Sequence, residues 1–252
     1  MADKASLYAP LLVETAWEVC NQVGGIYTVV RSKAPAIVDK WSGNYCMIGP
    51  LLGNKLPAEF EEVFEYEDAF GTAVLEMRQQ GYEIYYGRWL TDGKPKVILM
   101  PPAQMLDKQK DIRAYLLRDF KINIFNPDDL LTQVICFGDV VTKFFTVLES
   151  QVKGQPVIAH FHEWMTGMPI GPIRKEGLRI KTVFTTHATL LGRYIAGNDD
   201  HFYKNLSNYD WLQMAQKFYI EPQTRLERLA ANDADVFTTV SDITGKECEF
   251  LL

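Results

Sequence analysis

Two short apolar segments that end in histidine carry the residues best suited to chemistry. They are Val157–Gly167 (VIAHFHEWMTG) and Lys181–Arg193 (KTVFTTHATLLGR), and each breaks into a polar, glycine-containing stretch after its histidine. In an open parallel sheet the carboxyl ends of neighbouring strands line one crevice, where ligands bind. The two segments therefore predict that their histidine-containing ends face a common pocket.

The first segment allows a metal-site interpretation. His160 and His162 lie two residues apart, so on a strand they would share one face and could converge on a metal ion. The chain has four histidines, so a three-ligand site would need His187 or Glu163 to complete it. The alternative is that one histidine is a hydrogen-bonded core residue, with Trp164 packing over the strand end. At the end of VFTTH, His187 fits a functional and a structural role equally well.

A glycine pair, Gly24–Gly25, stands where a first strand is expected to pass into a first helix. Such a turn lets the backbone approach a phosphate held at the helix N-terminus. The surrounding residues match neither GxGxxG nor a P-loop, so the pair on its own favours a plain structural turn.

Alternating strands and helices must position these residues, and they predict a doubly wound, mostly parallel α/β sheet with helices on both faces. A turn at Thr91–Pro95 (TDGKP) predicts one antiparallel hairpin within it. The predicted strands are Ala9–Trp17, Asn44–Gly49, Gly81–Leu90, Lys96–Met100, Val157–Phe161, Lys181–Thr186 and Asp235–Val240. The predicted helices begin at Gly24 with a stop or kink at Pro35, run from Asn126 as N-cap and Pro127 to about Ser150, cover Met165–Glu176 and Pro222–Ala231, and follow Ser241 as a cap.

Composition limits the classes of partner and compartment. The 252 residues are 47% hydrophobic with a net charge of −6, which argues against nucleic acid or an anionic membrane as a partner. No apolar run is expected to span a membrane, and Met1–Pro10 lacks the apolar core of a signal peptide. Four widely spaced cysteines without a CxxC pattern fit a reducing compartment. We therefore expect a cytoplasmic protein.

Longer motifs carry a family resemblance. ETAWEVCNQVGGIYTV, YYGRW, HFHEWMTG, FTTHATLLGRY and DVFTTVS, in this order from about Val13 to Ile243, closely resemble the N-terminal half of glycogen synthases of the animal and fungal type. The resemblance implies a retaining glucosyltransferase with two Rossmann-like domains facing a cleft (the GT-B architecture), which extends an α-1,4-glucan such as glycogen from UDP-glucose or ADP-glucose. Residues 1–252 would be the single N-terminal, acceptor-side domain, and the nucleotide-binding C-terminal domain would lie outside this chain.

The resemblance also implies residue roles. His187 matches a histidine against the transferred glucose, Arg193 an arginine near the donor phosphates, and Glu163 an acid that holds glucose hydroxyls. Gly24 and Gly25 match a glycine turn beside the donor diphosphate. We add His162 and Thr189 as candidate substrate contacts. No cofactor or metal is expected, because cations and helix N-termini neutralise the diphosphate, and the full-length enzyme is expected to be a homo-oligomer.

Two departures and two rival functions accompany this interpretation. Gln22 stands where the family usually has a lysine, which removes one cation directed at phosphate, and the chain stops at Leu252 before the second domain. Half an active site would leave the isolated chain inactive.

The rival functions are a non-catalytic sugar- or partner-binding module of the same fold and a metal-dependent hydrolase built on His160, His162 and His187. A two-carboxylate glycosidase would need a second acid opposite Glu163, and the sequence offers no obvious candidate.

Overall fold

A mixed eight-stranded sheet, in the order β3-β4-β5-β2-β1-β6-β7-β8, forms the centre of the molecule. The structure is a computed structural model that describes residues 9–152 and 154–252. The neighbours from β5 through β2, β1, β6 and β7 to β8 pair in parallel, which confirms the predicted doubly wound α/β fold. The strands are β1 (Leu11–Thr15), β2 (Tyr45–Pro50), β3 (Phe60–Glu62), β4 (Tyr85–Trp89), β5 (Lys96–Met100), β6 (Val157–His162), β7 (Ile180–Thr186) and β8 (Val236–Thr239).

Helices connect the strands and cover the sheet. They are α1 (Gly25–Trp41), α2 (Ala69–Gln79), α3 (Gln109–Phe120), α4 (Asp129–Gln151), α5 (Trp164–Gly167), α6 (Ile170–Lys175), α7 (Leu190–Ala196), α8 (Trp211–Lys217), α9 (Glu221–Asp233) and α10 (Asp242–Leu251). The largest core cluster lies under α4, whose Phe144 and Phe145 are fully buried with Phe161 of β6. A second cluster under α1 holds Tyr27 and Trp89.

The chain reverses its direction of growth across the sheet at β1. From β1 it proceeds to β2 on one side, and after β5 it returns to β6 on the other side of β1. In doubly wound sheets the crevice beyond the carboxyl ends of strands at such a reversal is the usual ligand site. This point places the ends of β1, β6 and β7 at the candidate site.

The predicted hairpin is confirmed. β4 pairs antiparallel with both β5 and β3. Its turn contains Gly93, which has a φ of 80° and whose missing Cβ would lie 2.8 Å from Cα of Pro35. Glycine therefore supplies both the left-handed backbone and the room for α1 to pack against the turn.

Pro35 does not end α1, contrary to one of the two outcomes predicted for it. The helix runs on to Trp41 with Pro35 inside it. Buried Val30 and Ala34 before the proline and partly buried Ile37 and Val38 after it hold the helix on the sheet, and this packing overrides the local penalty of a proline.

Three further expectations about helices need correction. The N-cap of α4 is Asp128, which accepts from Leu131 N at 2.7 Å, whereas Asn126 has a φ of 48° outside the helix. The helix expected over Met165–Glu176 is interrupted between α5 and α6, next to Pro169.

The third expectation is that no apolar run is long enough to span a membrane. By length and composition α4 is apolar enough to cross one, although most of its residues are buried inside this fold, which explains the apolar sequence.

Candidate active site

The histidine-containing ends of β6 and β7 meet as the sequence predicts. His162 Nδ1 lies 3.1 Å from His187 Nε2, and the ring of His160 lies 4.2 Å from that of His162 between centroids. His160 is fixed by a 2.7 Å contact from its Nε2 to Thr185 Oγ1. Parallel pairing of β6 with β7 produces this arrangement, because it sets Phe161 beside Phe184 and His162 beside Thr185.

A buried carboxylate at the end of β1 holds this histidine cluster together. Glu14 is 1% exposed. It accepts a hydrogen bond from Tyr45 Oη at 2.5 Å and forms an ion pair with Lys33 of α1. Its Oε1 also lies 2.6 Å from His162 Nε2 and 3.6 Å from His160 Nδ1. Four elements, β1, α1, β2 and β6, are thus tied to one side chain.

The surroundings shift the pKa values of Glu14, His160 and His187. Burial raises the pKa of Glu14, but the hydrogen bond from His162 and the charge of Lys33 outweigh it and hold that pKa well below its usual range. Burial is the largest of the effects that lower the pKa of His160 to about 3 and that of His187 to about 4. Both histidines are therefore neutral near pH 7 and can act as hydrogen-bonding groups without a charge.

Glu14, His160 and His162 are the group with metal-ligand spacing among residues 9–152 and 154–252. The donor set does not fit a divalent ion. Oε1 of Glu14 already binds the ammonium of Lys33, and the 2.6 Å contact with His162 Nε2 is a hydrogen bond between two atoms that a metal would need as separate ligands. Lys33 supplies the positive charge at the place where a metal would sit.

Glu163 joins the two histidine-containing segments. Its Oε1 accepts from the backbone amides of His187 at 2.9 Å and Ala188 at 3.3 Å, and from Arg193 Nη2 at 3.4 Å. The residue is 3% exposed and has a φ of 65° and a ψ of 165°, a conformation that costs energy for a non-glycine residue. Strained backbone of this kind concentrates at functional sites, which supports the prediction for Glu163.

Arg193 stands at the rim of the site. Its side chain is 55% exposed, and its contact with Glu163 leaves further guanidinium N–H groups available to a ligand. Burial raises the pKa of Glu163, and the Arg193 charge together with the amide hydrogen bonds partly offsets that increase. The structure therefore brings Glu163, His187 and Arg193 into one constellation, while their roles toward a substrate stay predictions.

Two further buried acids, which the sequence did not single out, complete the loop between β7 and α7. Glu247 of α10 accepts from Thr189 N at 2.9 Å and from the Thr189 hydroxyl, and Glu227 of α9 accepts from Leu190 N at 2.9 Å. Together with Glu163 they bind four consecutive amides, from residue 187 to residue 190. Their positions within polar helices gave no sign of this, because the partner loop is some 40 to 60 residues away in sequence.

Thr189, a predicted substrate contact, is fully buried and its hydroxyl caps α7 through Gly192 N at 2.9 Å. A Cβ at Gly192 would overlap Oε1 of Glu247, so glycine is required for this carboxylate to reach the loop. The side chain of Thr189 is thus occupied by its own protein, and this geometry does not favour a direct contact with a substrate.

Backbone amides at the start of α1 are also partly satisfied by a carboxylate of the same chain. Glu18 Oε2 accepts from Gly24 N at 2.6 Å and Tyr27 N at 3.0 Å. Gly24 and Gly25 are exposed, and a Cβ on Gly25 would meet nothing within 4 Å. Gln22 is exposed beside this turn. The glycine turn is therefore open to a ligand, although an internal carboxylate already uses two of its amides.

Histidines, an arginine and buried acids at the strand ends beside the reversal point define a ligand-binding, doubly wound α/β domain. Comparison with known proteins narrows this class. The family model described as glycogen synthase matches residues 14–252, and the chain belongs to the glycogen synthase family.

Curated relatives share this assignment. The chain is 38% identical over 242 residues to the glycogen [starch] synthase of Neurospora crassa and 37% identical over 245 residues to the liver glycogen [starch] synthase of Homo sapiens. It is 39% identical over 261 residues to isoform 1 of Saccharomyces cerevisiae. Each match covers 96% of this chain but only 34% to 36% of the relative, so the chain spans about a third of their length.

Solved structures with a similar backbone come from distant sequences. The catalytic domain of starch synthase IV from Arabidopsis thaliana, bound to ADP and acarbose, matches 71% of this chain and 34% of its own, at 16% identity and a TM-score of 0.43. An α,α-trehalose-phosphate synthase (UDP-forming) from Burkholderia vietnamiensis matches 96% of this chain and 42% of its own, at 9% identity and a TM-score of 0.45.

Proposed function

We propose that this chain forms the acceptor-side half of a glycogen (starch) synthase. In this proposal the complete protein transfers glucose from UDP-glucose, with ADP-glucose as the second candidate donor, to the non-reducing end of an α-1,4-glucan with retention of configuration. The observation that carries the proposal is the contact of Glu163, His187 and Arg193 at the carboxyl ends of β6 and β7, in a chain of the glycogen synthase family.

Arg193 is proposed to bind the leaving diphosphate. A planar guanidinium with permanent charge suits phosphate, and the exposed side chain reaches away from the sheet. The open turn at Gly24 and Gly25 is proposed to approach the same diphosphate through its backbone. Preorganised positive charge at the departing group stabilises the transition state without any reorganisation at the moment of reaction.

Glu163 and His187 are proposed to hold the transferred glucose. Among the described residues, protein donors bind Oε1 of Glu163 and none is hydrogen-bonded to its Oε2, so Oε2 can accept a sugar hydroxyl. His187 is neutral near pH 7, so it contributes a hydrogen bond and no charge repulsion toward the oxocarbenium-like transition state. Rigid support from β6 and β7 keeps both groups in place.

Retention is proposed to proceed without a protein nucleophile and without a metal. Glu14, another carboxylate at these strand ends, is engaged by Lys33, Tyr45 and His162 and cannot attack an anomeric carbon without breaking that cluster. A covalent glycosidase mechanism would need such a second accessible carboxylate. Lys33 and Arg193 already supply positive charge within the site, so a divalent ion is not required.

The remaining half of the cleft is proposed to come from a nucleotide-binding domain beyond Leu252, which makes the isolated chain inactive. The relatives are about three times as long as this chain, which supports a further domain. Four buried, unpaired cysteines support a reducing, cytoplasmic location. A homo-oligomeric full-length enzyme completes the proposal.

The test is glucose transfer by the natural full-length protein, with radiolabelled UDP-glucose and ADP-glucose offered in parallel and glycogen as acceptor. We expect incorporation from at least one donor in the presence of EDTA, and a loss of roughly 100-fold in kcat/KM for His187→Ala, because a hydrogen bond that tightens in the transition state is removed. Binding of glycogen without incorporation from either donor would favour the non-catalytic sugar-binding module. Release of free sugar without incorporation into glycogen, abolished by EDTA and restored by Zn²⁺, would favour the hydrolase.

A further inference from the structure

A continuous chain of hydrogen bonds leads from the buried Glu14 to the candidate sugar-binding histidine. Glu14 Oε1 lies 2.6 Å from His162 Nε2, and His162 Nδ1 lies 3.1 Å from His187 Nε2. Both nitrogens of His162 are therefore used inside the protein, and that ring is 2% exposed. The three side chains come from β1, the end of β6 and the residue after β7, so the sheet itself fixes their spacing.

The position of the proton on His162 follows from the partners of Glu14. Lys33 and Tyr45 both donate to this carboxylate, and the pKa of Glu14 is well below its usual range because the bond from His162 and the charge of Lys33 outweigh burial. An ionised carboxylate has no proton to give. The 2.6 Å contact therefore requires His162 to carry its proton on Nε2. The 3.5 Å approach of Lys33 to the same nitrogen is too long and too crowded to compete with it.

Charge balance determines which ring carries the proton in the contact between His162 Nδ1 and His187 Nε2. The single negative charge of Glu14 is already matched by Lys33, and a charged His162 would leave an excess positive charge in a buried cluster beside Arg193. A neutral His162 with its proton on Nε2 has an acceptor at Nδ1. His187 must then donate from Nε2 across the 3.1 Å contact. A neutral His187 protonated on Nε2 presents an unprotonated Nδ1.

We propose that Glu14 and His162 are positioning residues that hold His187 in the Nε2-protonated tautomer, so that its Nδ1 accepts a hydrogen bond from a hydroxyl of the bound sugar. Among residues 9–152 and 154–252, no hydrogen-bond donor reaches His187 Nδ1. The identity of the ligand rests on the proposed function, whereas the tautomer rests on the contacts and the charge balance of the cluster. Second partners of this kind commonly fix the tautomer of a functional histidine.

An unprotonated Nδ1 on His187 can be distinguished from a protonated one by the sugar analogues that the site tolerates. An acceptor at Nδ1 needs a hydroxyl that donates, so replacing that hydroxyl by fluorine, which accepts but cannot donate, removes the bond as completely as replacing it by hydrogen. A histidine protonated on Nδ1 would instead tolerate fluorine better than hydrogen. Donor analogues altered at one hydroxyl at a time therefore report the tautomer of His187.

The experiment measures kcat/KM of the full-length protein with the natural nucleotide sugar and with its monodeoxy and monodeoxyfluoro analogues. For one hydroxyl we expect losses of about tenfold with either analogue, corresponding to one hydrogen bond. His187→Ala should abolish the dependence at that hydroxyl. Glu14→Gln should reduce it to about twofold or less, because an amide both donates and accepts and no longer dictates the tautomer.

Matched variants separate positioning from folding. Tyr45→Phe removes a hydrogen bond from Glu14 but leaves the bond between Glu14 and His162, so it should keep the wild-type preference. His162→Phe keeps a ring of similar size without nitrogens and should behave as Glu14→Gln does. Unfolding curves identify any variant that is not folded. If folded Glu14→Gln and His162→Phe both keep the wild-type fluorine penalty, or if His187→Ala leaves the dependence on every hydroxyl unchanged, the proposal is wrong.

A spectroscopic measurement decides the tautomer even if no glucose transfer occurs, in which case the proposed function fails separately. Long-range ¹H–¹⁵N correlation of full-length protein labelled with ¹⁵N-histidine distinguishes protonated from unprotonated ring nitrogens. The His187 signals are identified by their loss in His187→Ala. We expect a protonated Nε2 and an unprotonated Nδ1 for His187, with this preference lost in Glu14→Gln. A protonated Nδ1 on His187 in the unaltered protein would overturn the assignment.

Discussion

The two helices that begin beside the candidate active site, α1 and α7, differ in how the backbone amides around their N-termini are satisfied. At α7, Glu163, Glu227 and Glu247 bind four consecutive amides from residue 187 to residue 190, and all three acids are buried. At α1 a single acid, Glu18, binds two amides of a turn whose glycines are exposed. The end of α7 is thus closed to an anionic ligand, whereas the end of α1 is open to one.

The two helix N-termini therefore have different roles: that of α7 supports the site, and that of α1 is available to recognise a ligand. The closed end of α7 fixes the backbone from which His187 and Arg193 extend, so their side chains can meet a ligand with little loss of conformational freedom. The open end of α1 supplies exposed backbone that can approach the ligand directly. One site thereby combines a rigid side-chain frame with an accessible helix N-terminus.

Removing an acid from the closed end is expected to have the largest effect on stability. Glu247→Ala leaves the buried amide and hydroxyl of Thr189 without their acceptor, and we expect the free energy of unfolding to fall by about 3 kcal/mol. Glu18→Ala at the exposed end should cost about 1 kcal/mol, as the loss of a helix cap does. Urea denaturation measures both values.

The matched control for this pair is Glu249→Ala, an exposed acid on the same helix as Glu247. It should change the free energy of unfolding by less than about 0.5 kcal/mol. Equal losses for Glu247→Ala and Glu18→Ala would remove the distinction between a closed and an open helix end.

A second prediction concerns pH. Burial, reinforced by the charge of Glu163, raises the pKa of Glu227 well above its usual value, so the folded protein holds a proton there that the unfolded chain releases. The stability that Glu227 contributes is therefore complete below its unfolded pKa of about 4.3 and is lost as pH rises toward its folded pKa, with a slope of up to about 1.4 kcal/mol per pH unit. Among the described residues its Oε1 has no hydrogen-bond partner, in keeping with a protonated oxygen.

Glu227→Gln is the corresponding test. Glutamine is neutral at every pH and can still accept from Leu190 N, so the variant should match the parent near pH 4.5 and exceed it in stability at pH 7 and above. Glu249→Gln, at an exposed position, should keep the parent's pH dependence. A Glu227→Gln protein that is less stable than the parent at pH 7 would show that an ionised carboxylate is needed at the closed end.

The smallest effect is expected at the open end of α1. Gln22→Lys adds a cation beside the exposed glycine turn, and we expect the KM for the nucleotide sugar to fall by about threefold, more at low than at high salt. Gln80→Lys, an exposed position at the end of α2, controls for net charge. An unchanged KM in Gln22→Lys would show that this turn does not approach the donor phosphates.

The sequence predicted much of the fold and part of the site. The periodicity of apolar residues and the turn residues located the strands that end at His162 and just before His187, because an alternation of short apolar runs with helices leaves few topologies. Motifs drew attention to Glu163 and Arg193, which the structure brings within 3.4 Å of each other. These features are local in sequence, and local patterns survive into the folded chain.

Other parts depended on contacts between distant segments. Nothing in the sequence around Glu14 marked it as part of the site, yet it is buried under Lys33, Tyr45 and His162. Packing, which no local pattern reports, also carried α1 through Pro35.

The most direct measurement is the rate of glucose transfer from the nucleotide sugar to glycogen by the full-length protein, compared between Arg193→Ala and Arg179→Ala. Both are exposed arginines that contact an acid, but Arg193 follows the carboxyl end of β7 and Arg179 precedes its amino end. We expect a loss of kcat/KM of roughly 100- to 1,000-fold for Arg193→Ala and less than about twofold for Arg179→Ala. Equal rates in the two variants, or no transfer by the unaltered protein, would contradict a nucleotide-sugar site at these strand ends.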